Sequence, residues 1–277
     1  MIDRQTNFLF AYVLLLVYVL AAQTNEQLSI LLGIALSVLT VSIVFLLGFL
    51  SLEALIPAAL VGSIAYGLGG IPSVGVLGVF FVSSSLLTLV NDQRVRKDEL
   101  NESRRGGRQV WSNAFWFVSF LISSFILDSM ALTIASISAL ATSSADTWGT
   151  EAGLFPKQKK TISITRFTEV QPGTDGGVSL FGTLASLVGS ALIGGFFAFF
   201  FSEKDVYLFL IITFSGFIGS LIDSILGDRF QSTKGSHHDH SKFKSNIQMS
   251  NNMVNWFSTG FGGLIGLILY YLLQTNA

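Results

Sequence analysis

The chain has 277 residues, of which 51% are hydrophobic and only 12% charged, with 25 Phe, 4 Pro and no Cys. Soluble domains carry about 25% charged residues, so the composition excludes an ordinary soluble domain. The missing cysteines exclude disulfide and thiolate chemistry. The formal net charge of -1 conceals a strong segregation: fourteen of the sixteen Lys and Arg residues fall in three polar loops, 91–110, 149–177 and 228–252. No nucleic-acid partner is expected.

Apolar runs of about 20 residues are the length of a membrane-crossing helix. In chain order the expected spans are 7–22, 28–50, 54–70, 72–90, 111–127, 129–147, 178–201, 206–226 and 253–273. The reading is an all-α, polytopic membrane bundle of about nine helices in one domain, 1–277. The first run follows Arg4 and ends in Ala21-Ala22, a weak match to a cleavage site, so an uncleaved first helix is expected. Basic loops stay on the cytoplasmic side. Four spans, then two, then two separate the N-terminus and the three loops, which puts all of them on one face. N-in, C-out topology in the plasma membrane is therefore expected.

Charged residues at membrane depth are costly and mark function. Asp146, in Ala145-Asp-Thr-Trp-Gly-Thr-Glu-Ala-Gly153, ends the sixth span, with Glu151 five residues on. Five residues turn a helix by about 500°, leaving the two carboxylates about 140° apart. They converge on one ion only if the helix unwinds near Gly149. The bland alternative is two solvated carboxylates.

Gln171-Pro-Gly-Thr-Asp-Gly-Gly-Val-Ser179 precedes the seventh span. A glycine-rich turn opening onto a helix N-terminus offers amide donors and a helix dipole to phosphate. Lys157, Lys159, Lys160 and Arg166 lie upstream, although the spacing is not that of a Walker motif. Gly219-Ser-Leu-Ile-Asp-Ser-Ile-Leu-Gly-Asp-Arg229 ends the eighth span, with Asp223 inside the apolar run and Asp228 and Arg229 at the water interface. Asn251, Asn252 and Asn255 open the ninth span, where amides either hold a ligand or cap the helix. Small residues at turn spacing, such as Gly182, Ser186, Gly189, Gly216 and Gly219, read chiefly as helix packing.

Weaker signals surround these clusters. Arg104 and Arg105 before Trp111 read as a membrane anchor, whereas Arg108 is a candidate clamp for an anionic head group. The tract His237-His238-Asp239-His240 reads as incidental in a polar loop. There is no Ser-His-Asp ordering, HExxH motif or heptad repeat.

The ordered blocks Gly107-Arg-Gln-Val-Trp-Ser-Asn-Ala114, Ala145–Gly153, Pro172–Ser186, Gly219–Gly227 and Asn251–Phe257 resemble an integral-membrane family long classed only as a domain of unknown function. It includes transmembrane protein 19 and the phytyl-phosphate kinases of plastids and cyanobacteria, and the resemblance runs from about Phe49 to Phe257. Ala152, Asp175 and Asp228 depart from its pattern, which more often has Ile, Ser and Ala there. A more distant similarity is to dolichol kinases and phosphatidate cytidylyltransferases.

The resemblance implies conversion of an isoprenyl monophosphate to its diphosphate by a nucleoside triphosphate, with CTP favoured over ATP. On this reading Asp146, Glu151 and Asp223 hold Mg²⁺ and orient the acceptor. Gly173, Thr174, Asp175, Gly176 and Gly177 surround the nucleotide phosphates, Arg108 and Arg166 offset developing charge, and Asn252 and Asn255 complete the pocket. The alternatives are a lipid-phosphate flippase and a CTP-dependent lipid cytidylyltransferase. The one-sided placement of the clusters and the lack of repeated halves argue against a transporter.

Overall fold

The structure is a computed structural model in which residues 2–20, 24–95, 104–154, 160–200, 206–231 and 248–274 are described. Eight helices account for most of it: α1 (Ile2–Leu20), α2 (Thr24–Leu46), α3 (Leu55–Val95), α4 (Gly107–Leu127), α5 (Met130–Gly153), α6 (Leu180–Ala198), α7 (Val206–Phe230) and α8 (Asn251–Gln274). A single 3₁₀ turn, Leu52–Ala54, leads into α3. The His237–His240 tract, Lys157 and Lys159 lie outside the described residues.

Among the described residues six helical stretches are long and apolar enough to cross a membrane, against the nine spans expected. Three local reasons account for the difference. The expected spans 54–70 and 72–90 form one element, α3, broken at Gly70, whose φ of 63° and ψ of -160° are non-helical and which stands two residues before Pro72. The apolar stretch of α1, Arg4–Leu20, falls short of the length of a crossing helix. The third case is α5, long enough to cross but less apolar than the other helices because of its Ala, Ser and Thr content.

Helix α5 packs against α3, α4, α6, α7 and α8, and every residue from Ile134 to Ala145 is buried. Its Ala, Ser and Thr side chains let five neighbours approach. Its hydroxyls also satisfy carbonyl groups of adjacent helices. Ser136 donates to the Phe117 carbonyl at 2.7 Å, Ser143 to that of Asn113 at 2.8 Å and Ser144 to that of Gly189 at 2.8 Å. Such bonds hold helices together where lipid supplies no hydrophobic drive between them. Large apolar side chains on α1, α2, α6 and α8, among them Leu16, Leu39, Leu184 and Leu272, point outward, as lipid-facing surfaces require.

One end of the bundle gathers the polar segments. The Trp111 indole at the start of α4 donates to Asn7 of α1 at 2.7 Å. Leu50 pairs with Arg105, and Gln231 with Met249. Between α5 and α6 the chain forms a small antiparallel sheet that an all-α expectation omits. Its strands β1 (Thr161–Ser163), β2 (Glu169–Val170) and β3 (Gly177–Val178) lie in the order β2-β1-β3. Ile162 pairs with Glu169 on one side and Val178 on the other. This sheet hangs the glycine-rich segment over the end of α7.

Candidate active site

A cleft of about 160 Å³ opens at this polar end between α5, α6, α7 and the sheet. From α5 it takes Asp146, Gly149, Thr150, Gly153 and Leu154, the i, i+3, i+4, i+7, i+8 stripe of one helical face. From α7 it takes Ser220, Asp223, Ser224 and Gly227, the same stripe again. Helix α6 adds Ser179, Gly182, Thr183 and Ser186 from its N-terminal turns, and the loop adds Gly173 to Val178.

Asp146 and Asp223 meet across the α5–α7 contact, with their carboxyl groups in hydrogen-bonding reach of one another. Asp223 is only 7% exposed and accepts a 2.7 Å hydrogen bond from Ser258 of α8. Asp175 of the loop is the next carboxylate, close enough to act on Asp223 through charge. Burial pushes the Asp175 carboxyl above its ordinary value. No Lys or Arg lines the cleft among the described residues.

The glycine-rich loop is fixed by two turns. The Thr174 amide donates to the Gln171 carbonyl at 3.1 Å, and the Gly177 amide to that of Thr174 at 2.9 Å. Gly176 has a φ of 70°, and a Cβ there would sit 2.6 Å from the Ser224 carbonyl oxygen and collide with Asp228. The loop backbone therefore lies directly on α7. At the start of α6 the Ser179 hydroxyl caps the Gly182 amide at 3.1 Å. The positive end of the α6 dipole faces the cleft.

The remaining candidates fall elsewhere. Helix α5 stays helical through Gly153 and does not unwind at Gly149, so Glu151 points away from Asp146. Its carboxylate accepts from Thr88 of α3 at 2.7 Å, and it does not join the aspartate pair. Arg166 pairs with Asp228 at 3.1 Å, and the same carboxylate accepts from Ser163 and Thr165. Arg166 thus secures the β1–β2 turn to α7. Arg108 is exposed on the first turn of α4 and does not line the cleft. Asn255 is buried and donates to Asn113 at 3.1 Å, while Asn252 is half-buried and outside the lining. Asn251 does line the cleft and accepts from Gln231 at 3.1 Å.

Sequence reasoning missed Thr150, Thr161, Ser220 and Ser224 as lining residues. The stripes that begin at Asp146 and Ser220 are the signal that could have found most of them.

The model of the family described as integral membrane protein DUF92 matches residues 35–263. The chain belongs to that family. It is 31% identical over 218 residues to the uncharacterized membrane protein MJ0933 of Methanocaldococcus jannaschii, covering 79% of this chain and 84% of that one. It is 29% identical over 181 residues to protein PGR of Arabidopsis thaliana, 55% of this chain and 62% of that protein. Protein VTE6, chloroplastic, from the same plant is 26% identical over 235 residues, 82% of this chain and 67% of its own. No solved structure matches the chain. Family membership makes this an integral, multi-pass membrane protein.

Proposed function

We propose that this family member is a membrane kinase. It transfers the γ-phosphoryl group of a nucleoside triphosphate, CTP in the first instance, to an isoprenyl monophosphate. The observation that carries the reading is the meeting of Asp146 and Asp223 beneath a glycine-rich loop and a helix N-terminus, at the polar end of a lipid-facing bundle.

Phosphoryl transfer asks a protein mainly for in-line positioning and charge stabilisation. The acceptor oxygen belongs to an already ionised phosphate, so no general base is needed. It attacks the γ-phosphorus, the bond to the bridging β–γ oxygen breaks, and the nucleoside diphosphate leaves with that electron pair. Among the described residues the cleft is lined by three aspartates and no cation, a lining that repels phosphates unless a metal comes with them. Mg²⁺ is ordinarily held by one or two carboxylates together with substrate phosphates, and Asp146 and Asp223 supply that number. Bound there, the ion would neutralise charge on the β- and γ-phosphate oxygens. Asp175 would add negative charge toward the ion from the loop, while the loop amides and the α6 N-terminus would hold the donor phosphates.

The test is product analysis of purified protein in detergent with Mg²⁺, labelled geranylgeranyl or phytyl monophosphate, and CTP or ATP, beside Asp223→Asn. A prenyl diphosphate made by the natural protein and lost in the variant is the expected result. A CDP-lipid with pyrophosphate release would replace the kinase with a cytidylyltransferase. No product from either nucleotide would overturn the reading.

A further inference from the structure

On the other side of α5, a second recess of about 90 Å³ opens at the same polar end. Leu47, Gly48 and Phe49 after α2 form one wall, Ser85, Thr88 and Leu89 of α3 the other, and Arg105 closes it. Arg105 is fixed by its backbone: its amide donates to the Phe49 carbonyl at 3.1 Å, and its carbonyl accepts from the Ser51 amide at 3.0 Å. Its guanidinium lies over two rings, 5.4 Å from the centroid of Phe80 and 5.0 Å from that of Phe81.

An arginine that merely anchors a helix end extends its head group into water. Arg104 is exposed, its guanidinium beside the backbone of Gly48, whereas Arg105 turns inward and is half-buried. Burial lowers its pKa to about 10, with Glu151 opposing the fall. It forms no ion pair among the described residues. Glu151 acts on it through charge while accepting from Thr88. The Ser85 hydroxyl, also buried, takes no partner among the described residues. A fixed guanidinium and a free hydroxyl therefore face one small cavity.

What surrounds that cavity is apolar and points outward. Leu47 and Leu89 line it from opposite sides, and Leu46 and Leu86, close to them in the chain, are exposed as they are. A ligand that suits both features carries an oxyanion at its head and hydrocarbon behind it. Guanidinium forks match phosphate oxygens in pairs.

We propose that Arg105 and Ser85 form a binding site for the phosphate group of an anionic membrane lipid, separate from the aspartate cleft. The site makes no use of the residues assigned to phosphoryl transfer, so it stands or falls independently of the kinase reading.

Native mass spectrometry of the full chain in detergent, titrated with phosphatidylglycerol or phosphatidylcholine, reads the site directly. The natural protein should retain one phosphatidylglycerol in preference to phosphatidylcholine. Losing charge-assisted bonds in Arg105→Gln should weaken that binding about tenfold. Arg104→Gln should leave it unchanged. Leu89→Trp fills the recess from the α3 wall while keeping Arg105 in the chain; it should also expel the lipid, which keeps the test usable if the arginine variant fails to fold. Equal retention by Arg105→Gln or Leu89→Trp overturns the site. Equal loss in Arg104→Gln overturns it too, by reducing it to a diffuse basic rim. Inorganic phosphate binding as tightly as phosphatidylglycerol would overturn the lipid assignment.

Discussion

The Ser258 hydroxyl donates a 2.7 Å hydrogen bond to the Asp223 carboxylate, tying α8 to the acidic centre of the cleft. Ser258 is 1% exposed and Asp223 7%, so the bond lies at the buried back of the cleft. Hydrogen bonds to charged groups are worth about 1.5–3 kcal/mol. We expect Ser258→Ala to keep the fold but raise the Mg²⁺ concentration for half-maximal turnover by about tenfold. Asp223→Asn should reduce turnover to background. A Mg²⁺ titration of both variants checks this, and an unchanged titration in Ser258→Ala would remove Ser258 from the site.

Gly176 is the tightest point of the loop. A side chain there meets both a left-handed backbone, at about 1–2 kcal/mol, and the wall of α7 at Ser224 and Asp228. Gly173 shares the left-handed φ, but a Cβ there would lie at an ordinary 3.5 Å from Leu154. Gly176→Ala should therefore lift the loop off α7 and abolish activity, whereas Gly173→Ala should lower thermal stability with activity largely kept. The two unfolding midpoints and initial rates separate these outcomes. Equal effects would mean that the approach to α7 does not matter.

The sequence revealed which segments are polar and which of them share an end, because both follow from local composition and charge. The central place of α5 was less legible. Its Ala, Ser and Thr residues read as an ordinary apolar span, whereas in the structure those small side chains serve contact with five other helices. The Glu151 assignment depended on whether a helix breaks at Gly149, which one glycine does not decide. The helix continues, and the predicted separation of about 140° then keeps Glu151 on the α3 side. Asn113 and Asn255 are 142 residues apart, a pairing that no local pattern announces. The role of Arg166 was equally hidden, because it depends on Asp228 in a different helix.

That placement separates the acids by experiment. Asp146→Asn removes a carboxylate facing Asp223 and should cost turnover about as much as Asp223→Asn. Glu151→Gln preserves an acceptor for Thr88 and should change turnover by no more than about threefold, within the range of an exchanged neutral hydrogen bond. Its effect should appear in thermal stability instead. Parallel rates for the three variants test this, and a Glu151→Gln enzyme as dead as Asp146→Asn would restore Glu151 to the metal site.

Asp228 should act on the loop as a positioning residue. Ser163, Thr165 and Arg166 all donate to one carboxylate. Ala at this position keeps α7 but leaves those donors unpaired. We expect Asp228→Ala to raise the KM for nucleotide by about tenfold with a smaller change in kcat, the loss of one charge-assisted bond. Arg166 is 38% exposed, and exposed pairs contribute only about 0–1 kcal/mol, so Arg166→Ala should be milder. A kcat effect that exceeds the KM effect in Asp228→Ala would instead place this carboxylate among the reacting groups.

Asp175 gives a pH-dependent signature. Burial raises its carboxyl above the ordinary value, so between the two values the folded state binds more protons than the unfolded one. Stability then falls as pH rises through that window. Below the ordinary carboxylate range both states are protonated and the penalty vanishes. We therefore expect Asp175→Asn to be more thermostable than the natural protein at neutral pH without metal, and the two to converge in acid. A cation near Asp175 favours the charged form and reverses the penalty. Added Mg²⁺ should consequently raise the midpoint of the natural protein more than that of Asp175→Asn. Equal Mg²⁺ shifts at neutral pH would mean that Asp175 faces no metal, and the loop would then contribute only amides to the donor phosphates.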